Sequence, residues 1–492
     1  MFRLPSLDDR AHSVAMLGTE STQLGQAIAP IAKSHPGKSG FHPLADGRDA
    51  FAARSLMADA AERCLDVQYY IWHADLSGRL LFDALFRAAE RGVRVRLLLD
   101  DNNTNGLDLV IATLDYHPNI EVRLFNPFVI RKWRALGYLT DFRRLNRRMH
   151  NKSFTIDNQV TIIGGRNIGD EYFGSSEEMQ FVDFDVMAIG PIVQEVSADF
   201  DRYWACSSSY PADRLLPLPS RKQRVLTRRR LMRTSFHPDA ARYGRTLSQQ
   251  AFVKNLLSGT VEFEWTDIRM VSDDPAKGLG QAAPDTVPQR LKETLGTPLS
   301  HFFLVSAYFV PTAVGVQFLQ RLVRGGVKIT IVTNSLEATD VAVVHAGYAK
   351  HRRTLLKAGI KLYEVKRTFS APSTKDRGLV GHSGSSLHAK TFSVDGRRTY
   401  IGSFNFDPRS AQLNTEMGFV IESTALAEGI AAYLEGGLRD QAYQVKKTSS
   451  GRLKWIEFSP EGTREHKRDP YASTRRRMVV ALASFLPIEW LL

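Results

Sequence analysis

Cysteine is nearly absent from this 492-residue chain, with Cys64 and Cys206 the only two. That count excludes a disulfide framework and a cysteine-based metal cluster, and it fits a reducing, cytoplasmic setting. Also missing is any run of about 20 apolar residues, the length needed to span a bilayer. The first forty residues have no continuous apolar core behind a basic start and no lipidatable cysteine, so a secretory signal is not expected. His35-Pro-Gly-Lys-Ser-Gly40 resembles part of a phosphate-binding loop but lacks the upstream glycine at the required spacing. It reads as a linker after a short helix over Leu24–Ile31. Acidic residues are outnumbered, 52 against 65 Lys and Arg, for a net charge of +13. Such a balance implies an anionic partner, either nucleic acid or an acidic membrane surface, and charge alone does not choose between them. At 43% hydrophobic and 24% charged residues, the composition is that of a globular protein with two or three domains.

What is present is one layout written twice. From His150 the order is His, any residue, Lys152, four residues, Asp157, six residues, Gly164, then Asn167 three places on; the same order runs His388, Lys390, Asp395, Gly402, Asn405. In an extended strand, residues i and i+2 share a face, so each His points the same way as its Lys. An imidazole beside a fixed ammonium suits a phosphate diester: the ring attacks phosphorus while the Lys holds a non-bridging oxygen. Two copies supply two imidazoles, one to attack and one to protonate the leaving oxygen. The turns Gly164-Gly-Arg-Asn167 and Gly402-Ser-Phe-Asn405 bring small residues and an amide donor close to the phosphate, with Ser403 adding a hydroxyl. Asp157 and Asp395 complete the two motifs, but strand parity puts them on the opposite face from the His-Lys pair, in a supporting structural role.

The flanking elements repeat as well. In the first half, strands are expected over Leu65–Trp72, Val93–Asp100 and Ile120–Phe125, with helices over Leu80–Glu90 and Leu107–Leu114. In the second, strands are expected over Phe302–Val310, Val327–Thr333 and Ile360–Val365, with a helix running to Val323 and another over Val344–Leu356. Tyr69-Tyr-Ile-Trp72 occupies the place of Tyr308-Phe-Val-Pro311, and Arg91-Gly-Val-Arg-Val95 that of Gly325-Gly-Val-Lys-Ile329. This is internal duplication. The expected divisions are an N-terminal helix and linker at 1–40, a first half at 41–215, a second half with a basic linker at 216–440, and a basic tail at 441–492.

A histidine nucleophile works better when its other ring nitrogen donates to an acid. Asp185 and Glu416 open the strands that follow the motifs and are the expected His-orienting acids, with Asp183 the competitor for Asp185. Each half also carries an insertion before its motif. The first mixes Arg131, Lys132, Trp133, Arg134, Arg143, Arg144, Arg147 and Arg148 with Phe128, Tyr138, Leu139 and Phe142; the second, Ser370 to Ser386, is rich in Gly and Ser with Lys375, Arg377 and His382. A basic and aromatic loop at the mouth of the site suits lipid headgroups and acyl chains, or a nucleic-acid backbone with stacked bases. At the C-terminus, Arg475-Arg-Arg477 precedes the apolar run Met478–Leu492, which is too short to span and reads as a segment lying in the headgroup region. The competing expectation is a helix docked on the protein's own core.

The twin motifs resemble those of the phospholipase D superfamily, over a stretch from about Gly40 to Gly437. Val67-Gln-Tyr-Tyr-Ile-Trp72, Leu97-Leu-Leu-Asp-Asp-Asn102, Leu145-Asn-Arg-Arg-Met-His-Asn-Lys152, Gly164-Gly-Arg-Asn-Ile-Gly169 and Val344-His-Ala-Gly-Tyr348 are similar to its bacterial cardiolipin synthase C branch, as is the closing Leu-Pro-Ile-Glu-Trp-Leu-Leu. The resemblance implies an α/β fold of two pseudo-symmetric α/β/α sandwich halves, each a mixed sheet flanked by helices, with the active site at their interface. It implies a phosphatidyltransferase that needs no metal or other cofactor and works through a covalent phosphatidyl-histidine. By similarity of order His150 is the expected nucleophile and His388 the acid/base, with the reverse also open. Lys152, Lys390, Asn167, Asn405 and Ser403 would bind phosphate oxygens. Gly165 departs from the commoner pattern, which has the serine found at Ser403, and so removes one hydroxyl donor. The implied substrates are phosphatidylglycerol as acceptor and a phospholipid such as phosphatidylethanolamine as donor. The apolar C-terminus, and the lack of a recognisable nucleic-acid module, favour an anionic membrane as partner over nucleic acid, with the protein held at the inner face of the cell membrane. The runner-up is a phospholipase D-type hydrolase or a nuclease with the same histidines.

Overall fold

The computed structural model describes residues 3–175, 181–281, 285–367, 386–459, 462–484, 486 and 489. The chain forms two compact units: Met1–Ser175 with Phe184–Thr286 and Leu413–Gly418, and Ser176–Asp183 with Val287–Gln412 and Phe419–Leu492. The main division between them lies between Thr286 and Val287. Two short pieces, one after each motif, are counted with the other half's unit.

The first unit is built on a mixed sheet. Its strands are β1 (Ser39–Leu44), β2 (Cys64–Ile71), β3 (Arg94–Asn103), β4 (Ile120–Phe125), β5 (Ser153–Ile156), β6 (Val160–Gly164), β7 (Asp185–Ile189), β8 (Ser209–Pro211) and β9 (Glu264–Thr266). They lie in the order β9-β1-β7-β6-β5-β2-β3-β4-β8. β2, β3 and β4 are parallel, while β5 runs antiparallel to β2. Parallel neighbours need a crossover, and α1 (Leu76–Glu90) supplies the first, its start capped by the Asp75 side chain accepting from the Gly78 amide. Leu97, Leu98 and Leu99 in succession are buried in β3 because both of its faces are covered. Leu98, Phe125, Met149, Phe200, Tyr203 and Trp204 form one cluster of this core.

The second unit repeats the wiring. β10 (His301–Ser306), β11 (Lys328–Asn334) and β12 (Lys361–Val365) are parallel, and β13 (Lys390–Val394) runs antiparallel to β10 and pairs with β14 (Arg398–Gly402). α2 (Thr312–Arg324) links β10 to β11, and the helix expected over Val344–Leu356 is broken into α3 (Ala342–Ala349) and α4 (Arg352–Lys357). Beyond β15 (Met417–Glu422), the stretch expected to be a basic tail instead extends the sheet with β16 (Ala442–Lys447), β17 (Leu453–Ser459) and β18 (Gly462–His466), all antiparallel from β12 outward. Tyr443, Val445 and Trp455 are buried while Lys446, on the opposite face, is exposed, as alternation on a half-buried sheet requires, and Lys447 is exposed at the strand's end.

The final helix, α5 (Thr474–Ala483), packs Val479 and Val480 against Leu336, Ala342 and Ala472. Met478, Leu482 and Leu486, spaced by four, stay exposed. The C-terminal segment thus docks on its own core along one face, while the opposite stripe remains apolar. Phe485, Trp490 and Leu491 lie outside the described residues, as does the second insertion. No helix among the described residues is long and apolar enough to cross a membrane.

Candidate active site

Neither motif histidine lies in a regular strand, although the sequence places both there. His150 and Lys152 sit on the extended approach to β5, and His388 falls just before β13, whose first residue is Lys390. The i, i+2 relation still holds, because the segments are extended. Lys152 Nζ donates to the carbonyl of His150 at 2.5 Å and stands 5.6 Å from the centre of the Tyr70 ring, whose edge meets His150 at 4.9 Å. Lys390 Nζ donates to the carbonyl of His388 and lies 2.8 Å from Nδ1 and 3.2 Å from Nε2 of its ring.

Each imidazole meets one acid. His150 Nδ1 is 2.8 Å from Glu416 Oε2, and the His150 amide donates to Thr415 O at 2.9 Å. In the second unit His388 Nδ1 is 2.5 Å from Asp183 Oδ2, and the His388 amide donates to Val182 O at 2.9 Å. Thr415-Glu416 and Val182-Asp183 therefore do the same work: backbone carbonyl, then carboxylate. A carboxylate on Nδ1 demands the proton there and leaves the lone pair on Nε2.

Asp185 requires correction, because the acid at His388 is Asp183 and not Asp185. The Asp185 carboxylate is fully buried and takes a 2.8 Å bond from Arg54 Nη2, with the Arg166 amide at 3.2 Å. Both aspartates have the same parity along the chain, so alternation does not separate them; the buried Arg54 does, by claiming Asp185. Asp185 also fixes the motif turn. A Cβ at Gly164 would come within 2.2 Å of Asp185 Oδ1 and 2.5 Å of Phe184 O, so only glycine fits.

Asp157 and Asp395 hydrogen-bond to neither motif histidine and to neither motif lysine. Asp157 accepts from the amides of Glu62, Arg63 and Cys64 at 2.7 to 2.9 Å, and Asp395 from those of Leu299, Ser300 and His301 at 2.8 to 3.1 Å. Each holds the chain entering β2 or β10, from a turn with φ of 49° or 54° that Asp tolerates. Burial works against the charge on Asp395, but the amides of His301, Ser300 and Leu299 outweigh it and hold its carboxyl below the usual range. Asn167 accepts from the Ile71 amide at 3.1 Å and donates to Tyr172 Oη at 3.2 Å, while Asn405 accepts from Tyr308 at 3.4 Å. Each asparagine therefore ties its motif turn to the end of a parallel strand. Ser403 is buried in the turn after β14.

These equivalences shift one internal alignment. Ile71 matches Tyr308 and Trp72 matches Phe309, since Trp72 bridges Ile168 as Phe309 bridges Phe406. The sequence pairing of Tyr69 with Tyr308 is two residues out, and a shift of two conserves the face. By contrast, Arg94 and Lys328 match as expected, their amides donating to Arg63 O and Ser300 O.

Sequence reasoning missed Asp273, which holds Glu416, and Lys277 and Tyr203, which hold Asp273. The Asp273 carboxylate accepts from the Glu416 amide at 2.9 Å and from Lys277 Nζ at 2.8 Å, and Tyr203 Oη donates to Asp273 O at 2.8 Å. Asp273 lies in the stretch expected to be a linker, where nothing repeats that could have exposed it. In the first insertion most arginines are internal. Arg131 pairs with Asp101 at 2.9 Å and Asp108 at 2.5 Å, Arg144 with Asp141 at 2.6 Å, and Arg148 with Asp100 at 2.9 Å. What faces solvent is Lys132, Trp133, Leu136, Leu139, Phe142 and Arg143, with Leu139 83% exposed.

The duplicated sheets and twin His-Lys pairs define a phosphodiester-handling protein of duplicated α/β design. The family model described as "Cardiolipin synthase, PLD-like domain" matches residues 54–204 and 291–436. The chain belongs to that family, in the phospholipase D superfamily. It is 54% identical to cardiolipin synthase C of Escherichia coli K12, over 96% of this chain and 100% of that one. An uncharacterized protein of Helicobacter pylori J99 is 31% identical over 95% of this chain and 92% of its own length. In fold, the chain is similar to a crystal structure of phosphatidylserine synthase from Haemophilus influenzae Rd KW20, with a TM-score of 0.59 and 14% identity over 95% of this chain and 100% of that one.

Proposed function

We propose that this protein is a phosphatidyltransferase that makes cardiolipin by moving a phosphatidyl group onto phosphatidylglycerol. The observation that carries the reading is the repeated pair of an imidazole and a buried acid on its Nδ1, Glu416 at His150 and Asp183 at His388, in a chain of the cardiolipin synthase family. Nε2 of His150 attacks phosphorus; a P–N bond forms, the P–O bond to the donor's alcohol breaks, and the departing oxygen takes a proton from His388. In the second step His388 takes the proton of an acceptor hydroxyl on phosphatidylglycerol, the new P–O bond forms and the P–N bond breaks. Lys152 and Lys390 hold the non-bridging oxygens as charge builds, and Glu416 and Asp183 keep the rings in the required tautomer. Phosphatidylethanolamine fits the donor role.

An anionic membrane surface is the proposed partner, met peripherally at the inner face of the cell membrane. Two exposed apolar patches beside basic residues support it: Trp133, Leu136, Leu139 and Phe142 with Lys132 and Arg143, and Met478, Leu482 and Leu486 after Arg475. The histidine chemistry is tested by acid-free quenching of protein turning over phosphatidylethanolamine, followed by peptide mass spectrometry. A phosphatidyl group on His150, absent from His150→Ala, is expected. An adduct on His388 would reverse the roles, and no adduct on either would remove the covalent step.

A further inference from the structure

A cavity of about 650 Å³ opens in the second unit, lined by Arg324, Arg353, Lys357 and Lys447 with Gln320 and Thr354 among the neutral residues. No Asp or Glu lines it. Among the described residues, none of the four cations forms an ion pair or a side-chain hydrogen bond. The buried arginines of this chain, by contrast, are matched to carboxylates. Arg352, next to Arg353, turns inward to Glu364 at 2.7 Å and Asp469 at 2.9 Å. Arg353 and Lys357 stand four apart on α4, a spacing at which like charges repel and which an anion between them would relieve. Arg324 and Lys357 end α2 and α4, where a helix favours a cation, but that does not account for Arg353 and Lys447 facing the same cavity.

The cavity also lies away from the motif. Lys390 pairs with Ser306, the last residue of β10, and Asn334, the last residue of β11, donates to Leu387 O. Those contacts place the motif at the C-terminal ends of the parallel strands. Arg324 and Lys357 immediately precede β11 and β12, and Lys447 ends β16 beyond the Leu362–Val445 pair, so the cavity is at the strands' N-terminal ends. At about 3.3 Å per residue, strands of this length separate the two by roughly 20 Å.

We propose that this cavity is a second anion site, for a ligand carrying two phosphate groups. Four unpartnered cations offset the charge of two phosphates in full, and the neutral donors of Thr354 and Gln320 complete a phosphate's shell. Such a ligand is either the headgroup of a two-phosphate lipid or a soluble diphosphate.

Calorimetric titration of the full chain with pyrophosphate tests it, alongside flotation with phosphatidylcholine vesicles doped with cardiolipin. The variant carries Arg324→Gln, Arg353→Gln, Lys357→Gln and Lys447→Gln; a control of equal charge carries Lys222→Gln, Arg229→Gln, Arg230→Gln and Lys254→Gln, at exposed positions of the first unit. All eight side chains are exposed, so both variants are expected to melt as the parent does. A pyrophosphate binding event that survives in Lys390→Ala and in the control, but weakens by at least about tenfold in the cavity variant, is the expected result. Loss of vesicle retention in the same variant assigns the site to a lipid headgroup, and unchanged retention to a soluble diphosphate. Equal weakening in cavity variant and control, or no pyrophosphate binding outside the motif, would overturn the proposal.

Discussion

At the scale of single residues, the distinction that matters most is between two aspartates two positions apart. Asp183 contacts the His388 ring and Asp185 an internal arginine, so their substitutions separate. Asp183→Asn is expected to lower kcat by about a hundredfold or more, with the melting temperature nearly unchanged. Asp185→Ala is expected to lose about 3 to 5 kcal/mol of stability by stranding the buried Arg54 charge. The reverse pattern, in activity assays and thermal melts of the two variants, would reinstate Asp185 as the orienting acid. Asp395 makes a different prediction. Its carboxyl is held below the ordinary value of 3.8 in the folded protein, so it contributes stability above that pH, and the contribution is lost as the pH falls through the lowered value. The melting-temperature gap between the parent and Asp395→Asn should therefore be widest near neutrality and close below about pH 4. A gap that does not change with pH would contradict the role given to this carboxylate. The two histidines, the two lysines and the two aspartates were legible because the motif repeats. Asp273, Lys277 and Tyr203 were not, since a residue that acts by bracing another from a distant segment leaves no local pattern.

At the scale of elements, the repeated strands could be read within a few residues, because apolar runs bounded by Gly turns have few other readings. The hairpins from Ala442 to His466 were hidden for a physical reason. Lys446, Lys447, Lys454 and Arg464 raise the charge of a segment whose inward residues, Tyr443, Val445 and Trp455, alternate as a half-buried sheet requires. Composition spoke louder than period. The C-terminal helix docks one face on the protein's own core, the competing expectation, and leaves an apolar stripe exposed on the other, and its two faces make opposite predictions. Met478→Asp with Leu482→Asp should reduce sedimentation with anionic vesicles while leaving the melting temperature unchanged, because both side chains face solvent, at 56% and 71% exposure. Val480→Asp, on the docked face, should cost about 1 to 3 kcal/mol of stability. Equal vesicle binding before and after the first pair of changes would remove this helix from the membrane contact.

At the scale of the whole molecule, duplication is the organising fact. Each unit carries a parallel three-strand core, a motif histidine just ahead of the strand beside it, an aspartate that clamps the first strand, and an acid on the imidazole. Each unit by itself holds one motif imidazole, whereas a two-step transfer at phosphorus uses two, so losing either should be as damaging as losing both. The most direct measurement is to incubate the purified protein with mixed vesicles of phosphatidylethanolamine and phosphatidylglycerol and to separate the lipids. Cardiolipin should form with the parent protein and be abolished in His150→Ala and in His388→Ala alike. Phosphatidic acid in place of cardiolipin, or cardiolipin that persists when either histidine is lost, would contradict the account.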